Sequence, residues 1–231
     1  MPYRRLPNTD SSRLKALKTA IEKSAGTRFQ DLAISVATLD EAKKIVLQME
    51  RACTRYQQTL DTQINANKLF QNKVRNARMY ISHFVQVLYL CVIRSEIKAG
   101  HLELYGLQDA NMLVPDLSSN ESLLNWGEKI IRGESQRISK GGVPIYNPSI
   151  AKVNVMFSMF KEGYQVQQLY QKSTARMQAE VAQLRSEADR IIFNIWEEVE
   201  KHTMNLPVET RLDENRKYGL IYYYRKEETV E

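Results

Sequence analysis

The longest stretch without a helix-breaking residue constrains the fold of this chain most. Residues 40–98 contain neither glycine nor proline over fifty-nine consecutive positions. A second tract, residues 148–203, has proline only at its first position and a single glycine, Gly163. Because glycine and proline are the residues that most disfavour the interior of a helix, we predict a long α-helix over each tract.

Apolar spacing within both tracts supports this prediction. In residues 74–91 apolar side chains recur at alternating steps of three and four, and residues 181–195 show the same alternation. This heptad spacing keeps one apolar stripe on one side of a helix and is typical of coiled-coil packing. The two stripes consist of Val74, Ala77, Ile81, Phe84, Leu88 and Cys91, and of Val181, Leu184, Ala188, Ile191 and Ile195.

The sequence therefore predicts an all-α fold: an elongated antiparallel helical bundle built on two long helices, with shorter helices packed at each end. In this arrangement position 68 of the first helix faces a position near 178 of the second. Both helices are poor in apolar residues near the middle, around residues 61–68 and 171–176. The alternative is a bundle of shorter helices broken at these two places, but the absence of glycine and proline there favours continuous helices.

We expect a single helical domain over residues 1–231. Its segments, in chain order, are an N-terminal arm (1–10), a first short helical region (11–37), a long helix (40–98), a connector (101–146) that contains a helix at 120–139, a second long helix (148–203) and a C-terminal tail (204–231).

The C-terminal tail includes a segment with strand propensity, residues 218–224, which contains three consecutive tyrosines. Its candidate partner is residues 102–105, and any sheet that the two form is expected to be minimal. The tyrosines are expected to dock on the chain's own helices. Pairing with a partner's strand and stacking on nucleic-acid bases are the alternatives.

Targeting and redox features point to a cytoplasmic protein. No apolar segment follows the basic N-terminus, and no window approaches eighteen uninterrupted apolar residues, so we predict neither a signal peptide nor a membrane segment. Cys53 and Cys91 lie on the same predicted helix, too far apart for a disulfide. We expect both to be reduced, buried thiols.

Motifs for catalysis or metal binding are absent from the sequence. The Glu-x-x-His pair of di-iron bundles does not occur at His83, His101 or His202. Glu198 and His202 can share a helix face, but two ligands do not make a metal site. The chain also lacks the C-x-x-C, H-E-x-x-H and G-x-S-x-G patterns. We therefore expect no catalytic residues, no metal, no cofactor and no enzymatic activity.

One short stretch has the residue types of an anion site. Adjacent Gly141 and Gly142 can expose backbone N–H groups, while Arg137 and Lys140 add positive charge and Ser149 adds a donor near a helix start. Such groups can hold a phosphate or a carboxylate. Their spacing is neither that of a Walker A loop nor that of a Rossmann fingerprint, and an ordinary turn between two helices is the alternative.

The net charge of +6 is unevenly distributed along the chain. Residues 1–30 carry seven basic and two acidic side chains, whereas residues 181–215 carry four basic and eight acidic ones. Such blocks can pair inside the fold, or a basic face can bind nucleic acid. The candidate nucleic-acid contacts are Arg4, Arg5, Lys68, Lys73, Arg75 and Arg78.

Taken together, these patterns predict a non-enzymatic helical interaction or structural protein that self-associates or belongs to a larger assembly. Two long helices leave apolar surface that further helices must cover, and copies of the same chain are the nearest source. The alternative is a nucleic-acid-associated protein that uses the basic N-terminal arm and the basic block at residues 68–78. A ligand-binding bundle with a pocket between its helices is a third hypothesis.

Overall fold

The computed structural model describes residues 3–224, and these residues form an all-α structure, as predicted. The elements are β1 (Tyr3–Arg4), α1 (Asp10–Ala25), α2 (Val36–Ile93), α3 (Asn120–Ser139), α4 (Ile150–His202), α5 (Val208–Lys217) and β2 (Tyr222–Tyr223), with 3₁₀ helices at Phe29–Asp31 and Ala99–Tyr105. The chain divides into two compact units: the first unit is Met1–Leu60 with Thr174–Glu231, and the second unit is Asp61–Ser173.

Both long helices are uninterrupted, so the alternative of breaks around residues 61–68 and 171–176 is wrong. Their bounds differ from the prediction mainly at α2, which begins four residues before position 40 and ends five residues before position 98. Helix α4 begins at Ile150 instead of 148, because Ser149 caps it: the Ser149 hydroxyl accepts from the backbone N–H of Lys152. The predicted bounds of α3 are confirmed.

The ends of α2 are set by two serines. At the start, the hydroxyl of Ser35 accepts a hydrogen bond from the backbone N–H of Thr38. At the end, Ser95 adopts a left-handed conformation with φ of 61°, and the next residue, Glu96, donates its backbone N–H to the carbonyl of Cys91. Left-handed residues that end helices are usually glycine, so a serine at this position gave no sequence signal for the helix end.

The core of the first unit lies between α1, the beginning of α2 and the end of α4. Ala42, Ile45 and Met49 of α2 are fully buried, as are Ile191 and Ile195 of α4. Ile191 and Ile195 belong to the predicted stripe of residues 181–195, and Ala42, Ile45 and Met49 show the same three-and-four spacing on α2.

Two bidentate ion pairs join α1 to α4 in the first unit. Arg13 donates to Asp189 at 2.7 and 2.9 Å, and Arg185 donates to Asp10 at 2.7 and 2.8 Å. The pair Arg13–Asp189 joins a cation of the basic N-terminal block to the acidic block of α4, which is one of the two outcomes that the charge pattern allowed, whereas the pair Arg185–Asp10 has the opposite sense. Bidentate geometry fixes the orientation of α1 as well as adding attraction.

The N-terminal arm, not residues 102–105, is the partner of the C-terminal strand. In the antiparallel pair β1–β2, Tyr3 lies opposite Tyr223 and Arg4 opposite Tyr222. The predicted partner cannot serve, because it lies in a 3₁₀ helix that packs in the second unit with Tyr105 fully buried. In the first unit the Tyr222 hydroxyl donates to Glu200 and accepts from Asn215. Burial and the bond to Glu200 together raise the pKa of Tyr222 to about 12.

The second unit is built from the later part of α2, from α3 and from the beginning of α4. The rings of Phe70 and Phe160 stack with centroids 5.9 Å apart, and Gly163 lies against Phe70. Position 70 therefore faces positions 160–163 and not the predicted neighbourhood of 176. The register differs because the loop before α4, and not α4 itself, lies across a cleft from the last turns of α2 at Val87 and Cys91.

We expect Asp10→Asn to destabilise the first unit in a pH-dependent way. The hydrogen bond from Arg185 lowers the pKa of Asp10 below its unfolded value. This contribution is therefore complete above the unfolded pKa of roughly 4 and is lost as pH falls through the folded pKa. Urea unfolding at pH 7 should show a loss of about 1 kcal/mol, the upper end for partly exposed ion pairs.

The same measurement repeated down to pH 2 should show the difference between wild type and Asp10→Asn shrinking steadily. The matched control is Asp40→Asn, because the ion pair of Asp40 with Lys43 is long, at 3.8 Å, and exposed. A deficit in Asp10→Asn that is constant over this pH range contradicts the assignment.

We expect Gly133→Ala to destabilise the packing of α3 in the second unit. A Cβ atom on Gly133 would lie 2.7 Å from the carbonyl oxygen of Leu104 and 2.7 Å from the ring of Tyr105. Because a backbone carbonyl cannot turn aside as a flexible side chain can, the substitution should cost about 1–3 kcal/mol in urea unfolding. Gly100→Ala is the control, since no atom lies within 4 Å of its Cβ position. Equal stability of the two variants contradicts this prediction.

Candidate interaction surface

Helix α4 carries an exposed apolar row on the side that faces away from the core of the second unit. Four large side chains of this row, Val155, Met159, Val166 and Leu169, are 52, 45, 47 and 65% exposed. At about 100° per residue they fall within an arc of about 80°. The core-facing residues of the same segment, such as Phe157 and Phe160, lie on the opposite side and are buried.

The spacing of this row is that of a helix-packing seam. With Glu162 included, the steps between its members are four, three, four and three. We call the set Val155, Met159, Glu162, Val166 and Leu169 the α4 outer row. Glu162 is its only charged member, and Asn154, Ser158 and Gln165 beside it are exposed but uncharged. Lys152 and Lys172 are exposed beyond its two ends. An apolar row with polar neighbours is the composition of a protein-binding patch.

The outward face of α2 in the second unit is also poor in charge. No Lys, Arg, Asp or Glu occurs between positions 79 and 93. Met79, Leu90 and Ile93 are 43, 46 and 66% exposed, but His83 and Gln86 separate the first from the other two. No helix of the described residues is long and apolar enough to cross a membrane. The α4 outer row is therefore the more continuous of the two apolar surfaces.

The predicted nucleic-acid contacts of the N-terminal arm, Arg4 and Arg5, lie in the first unit. The side chain of Arg4 already forms an ion pair there. The Nη2 atom of Arg4 lies 2.8 Å from the carboxylate of Glu200, and its guanidinium stacks over the ring of Phe193 at 5.4 Å. Arg5 is exposed, and its backbone N–H donates to Ile221. Arg4 thus anchors the small sheet, whereas Arg5 is open to solvent.

The basic block of α2 lies in the second unit and is only partly available. Arg78 donates to the carbonyls of Leu117 and Ser118, where it holds the segment that leads into α3. Lys73 is half-buried, and its side chain would contact a Cβ atom at Gly163. Lys68 and Arg75 are exposed and form no ion pair within residues 3–224. Two open cations are few for a nucleic-acid interface.

The residues of the predicted anion site lie at the turn between α3 and α4, and most of their donors are already used. The backbone N–H of Gly141 donates to Ile138, and that of Gly142 donates to Arg137. These bonds end α3, so the expectation of two free N–H groups is corrected. Lys140 is exposed, and Ser149 caps α4.

Arg137 belongs to a buried polar network that the sequence analysis missed. Arg137 is 3% exposed and forms a bidentate pair with Glu134, which is fully buried. The Tyr105 hydroxyl bonds to both side chains, and burial is the main reason that the pKa of Tyr105 is raised. Glu134 and Arg137 follow Leu123, Gly127 and Ile130 at steps of four and three. That spacing could have shown that both charges point into the core.

The network also fixes the loop that precedes α4. Arg137 donates to the carbonyl of Val143 at 2.8 Å, and the backbone N–H of Ile145 donates to Glu134 at 3.2 Å. Each buried charge is therefore matched by an opposite charge and by hydrogen bonds, as burial requires. The observed role of Arg137 is to position this loop.

The remaining candidates for chemistry have structural roles. Glu198 accepts hydrogen bonds from the hydroxyl of Thr38 and the backbone N–H of Ser35, so it caps the start of α2. Cys53 and Cys91 are free and half-buried, and burial raises the pKa of both thiols, which disfavours the reactive thiolate. Within residues 3–224, no group of three or more His, Cys, Asp or Glu side chains could hold a metal ion.

We expect a strong coupling between Glu134 and Arg137. Glu134→Ala should reduce the free energy of unfolding by about 3–5 kcal/mol, because it leaves the buried guanidinium without its counter-charge. The double variant Glu134→Leu with Arg137→Met should lose less than the sum of Glu134→Leu and Arg137→Met, because it removes both charges together. Urea unfolding of the four proteins measures this difference, and additive losses would contradict the coupling.

The α4 outer row and the outward face of α2 are the surfaces from which a function can be inferred. Comparison with protein-family models, with curated proteins and with solved structures finds no match for this chain.

Proposed function

We propose that this chain is a non-enzymatic helical interaction protein that self-associates through the α4 outer row. The observation that carries the proposal is the exposure of four large apolar side chains on one arc of α4, at the spacing of a helix-packing seam. Single exposed apolar residues are ordinary on protein surfaces, whereas a continuous row is typical of an interaction site.

A second copy is the occupant that the row suits best. The steps of four and three are nearly the same when the row is read from either end. Two copies can therefore meet antiparallel across a two-fold axis, with Val155 opposite Leu169 and Met159 opposite Val166. Such an isologous contact uses the same patch on both partners.

The energetics of this contact depend on the surroundings of the row. Burying an exposed apolar side chain stabilises association by roughly 25 cal/mol for each Å² removed from water. A stable interface needs about 800 Å² from each partner, so the row would form its apolar centre. The uncharged neighbours Asn154, Ser158 and Gln165 suit the rim, because they lose little on partial desolvation.

Glu162 limits the affinity of the proposed contact. In the antiparallel arrangement Glu162 of one copy lies beside Glu162 of the other, and like charges at a seam repel each other. The proposed dimer is therefore reversible, and its strength is set by one residue in the middle of the row.

Light scattering and sedimentation of the full chain at micromolar concentration test the proposal. The wild type should exceed the monomer mass of 26.8 kDa. Leu169→Glu and Val166→Glu should each weaken association by at least about tenfold, because they place a charge in the apolar centre. Glu162→Leu should strengthen it, because it removes the repulsion and completes the row.

Leu113→Glu is the matched control, since Leu113 is 68% exposed in the same unit but lies outside the row. It should associate like the wild type. A wild-type chain that is monomeric throughout, or equal effects of Leu169→Glu and Leu113→Glu, would contradict the proposal.

A further inference from the structure

The outward face of α2 in the second unit carries a second row with the spacing of a helix-packing seam. Met79, His83, Gln86, Leu90 and Ile93 follow one another at steps of four, three, four and three. All five side chains are exposed. At about 100° per residue they fall within an arc of about 80°. We call this set the α2 outer row.

The α2 outer row lies on the side of α2 that points away from α4. Phe70, whose ring stacks on Phe160, marks the direction of α4. Met79 comes nine residues after Phe70, so it lies about 180° from Phe70 around the helix. The segment that leads into α3 lies on a flank of α2, where Arg78 donates to two of its carbonyls. In the part of the chain that the structure describes, the row is therefore open to solvent.

The absence of charge on this face bears on the choice of partner. Residues 79–93 are the longest stretch of the chain without Lys, Arg, Asp or Glu, and the exposed Arg75 and Arg94 lie beyond the two ends of the row. When two identical surfaces meet across a two-fold axis, a charge near the axis meets a like charge. A row without charged members avoids this repulsion, whereas a charged partner finds no opposite charge there. The face therefore suits a second copy better than nucleic acid or a charged protein.

The centre of the row also suits a second copy. Gln86 lies seven residues from Met79 and seven from Ile93, so a two-fold axis through Gln86 places Met79 of one copy opposite Ile93 of the other. Gln86 then lies beside Gln86 of the second copy. Because an amide is both a donor and an acceptor, the two side chains can hydrogen-bond to each other. A polar pair at a helix seam fixes the register of the two partners.

We propose that the α2 outer row is a second self-association surface, in which two copies pack α2 antiparallel about Gln86. Met79, Leu90 and Ile93 lose apolar surface to this contact on both sides of the amide pair, which stabilises association. The contact shares no residue with the α4 outer row, so it goes beyond the association proposed above. A chain with two such isologous surfaces can assemble beyond a dimer.

Sedimentation of the full chain carrying Leu169→Glu isolates this contact, because that substitution places a charge in the α4 outer row. The Leu169→Glu chain should still dimerise at millimolar concentration. Adding Gln86→Glu should weaken this dimerisation by at least about tenfold, because two like charges replace the amide pair. The substitution is nearly isosteric at an exposed helix position, and circular dichroism checks that the helices are intact.

Gln136→Glu is the matched control, because it makes the same chemical change at an exposed position of α3 in the same unit. It should leave dimerisation of the Leu169→Glu chain unchanged. A Leu169→Glu chain that stays monomeric, or equal effects of Gln86→Glu and Gln136→Glu, overturns this proposal and leaves the α4 contact standing. If wild-type association responds to Gln86→Glu but not to Leu169→Glu, the α4 contact is overturned and the α2 contact stands.

Discussion

The structure depends on apolar packing of α2 against α4, which occurs separately in each unit. In the first unit Ile45 and Met49 of α2 and Ile191 of α4 belong to one buried cluster. In the second unit Phe70 stacks on Phe160 and on Tyr164. Polar contacts hold two of the shorter helices in addition: α1 is tied to α4 by ion pairs, and α3 is tied to the 3₁₀ helix by the Tyr105 network. Because burial of these stripes is the main favourable term, the shorter elements need only complete two cores that the long helices begin.

Sequence reasoning predicted the elements better than their ends and their register. Long tracts without glycine or proline, together with heptad stripes, are strong local signals, and α2 and α4 were predicted from them. The ends of α2 were missed because their stabilisation is not local. Ser35 gains Glu198 of α4 as a second partner, and Ser95 adopts a conformation in which glycine is usual. The register was wrong because it depends on where the loop before α4 packs, and no periodicity within either helix contains that information.

For the candidate surfaces, too, the sequence pattern predicted which residues are apolar or charged, but not which of them the tertiary packing leaves exposed. In residues 150–170 of α4, apolar residues occupy two faces, and the face with Phe157 and Phe160 is buried in the core. The opposite face, with Val155 and Leu169, is visible as a surface only once the neighbours of α4 are known. The charges of the anion hypothesis were placed near a real cleft, but Arg137 is matched by Glu134 inside the core.

The division of the chain into two units determines the order in which the residues of each unit become available for folding during synthesis. The second unit is one continuous segment, Asp61–Ser173, whereas the first unit is assembled from both ends of the chain. A ribosome therefore completes every residue of the second unit before it reaches the C-terminal half of the first. The strand pair β1–β2 joins the two outermost parts of the described chain, so it can form only after the whole second unit has been synthesised. The entropy of that closure grows only slowly with loop length, so the inserted segment adds little to the thermodynamic cost while delaying the contact in time.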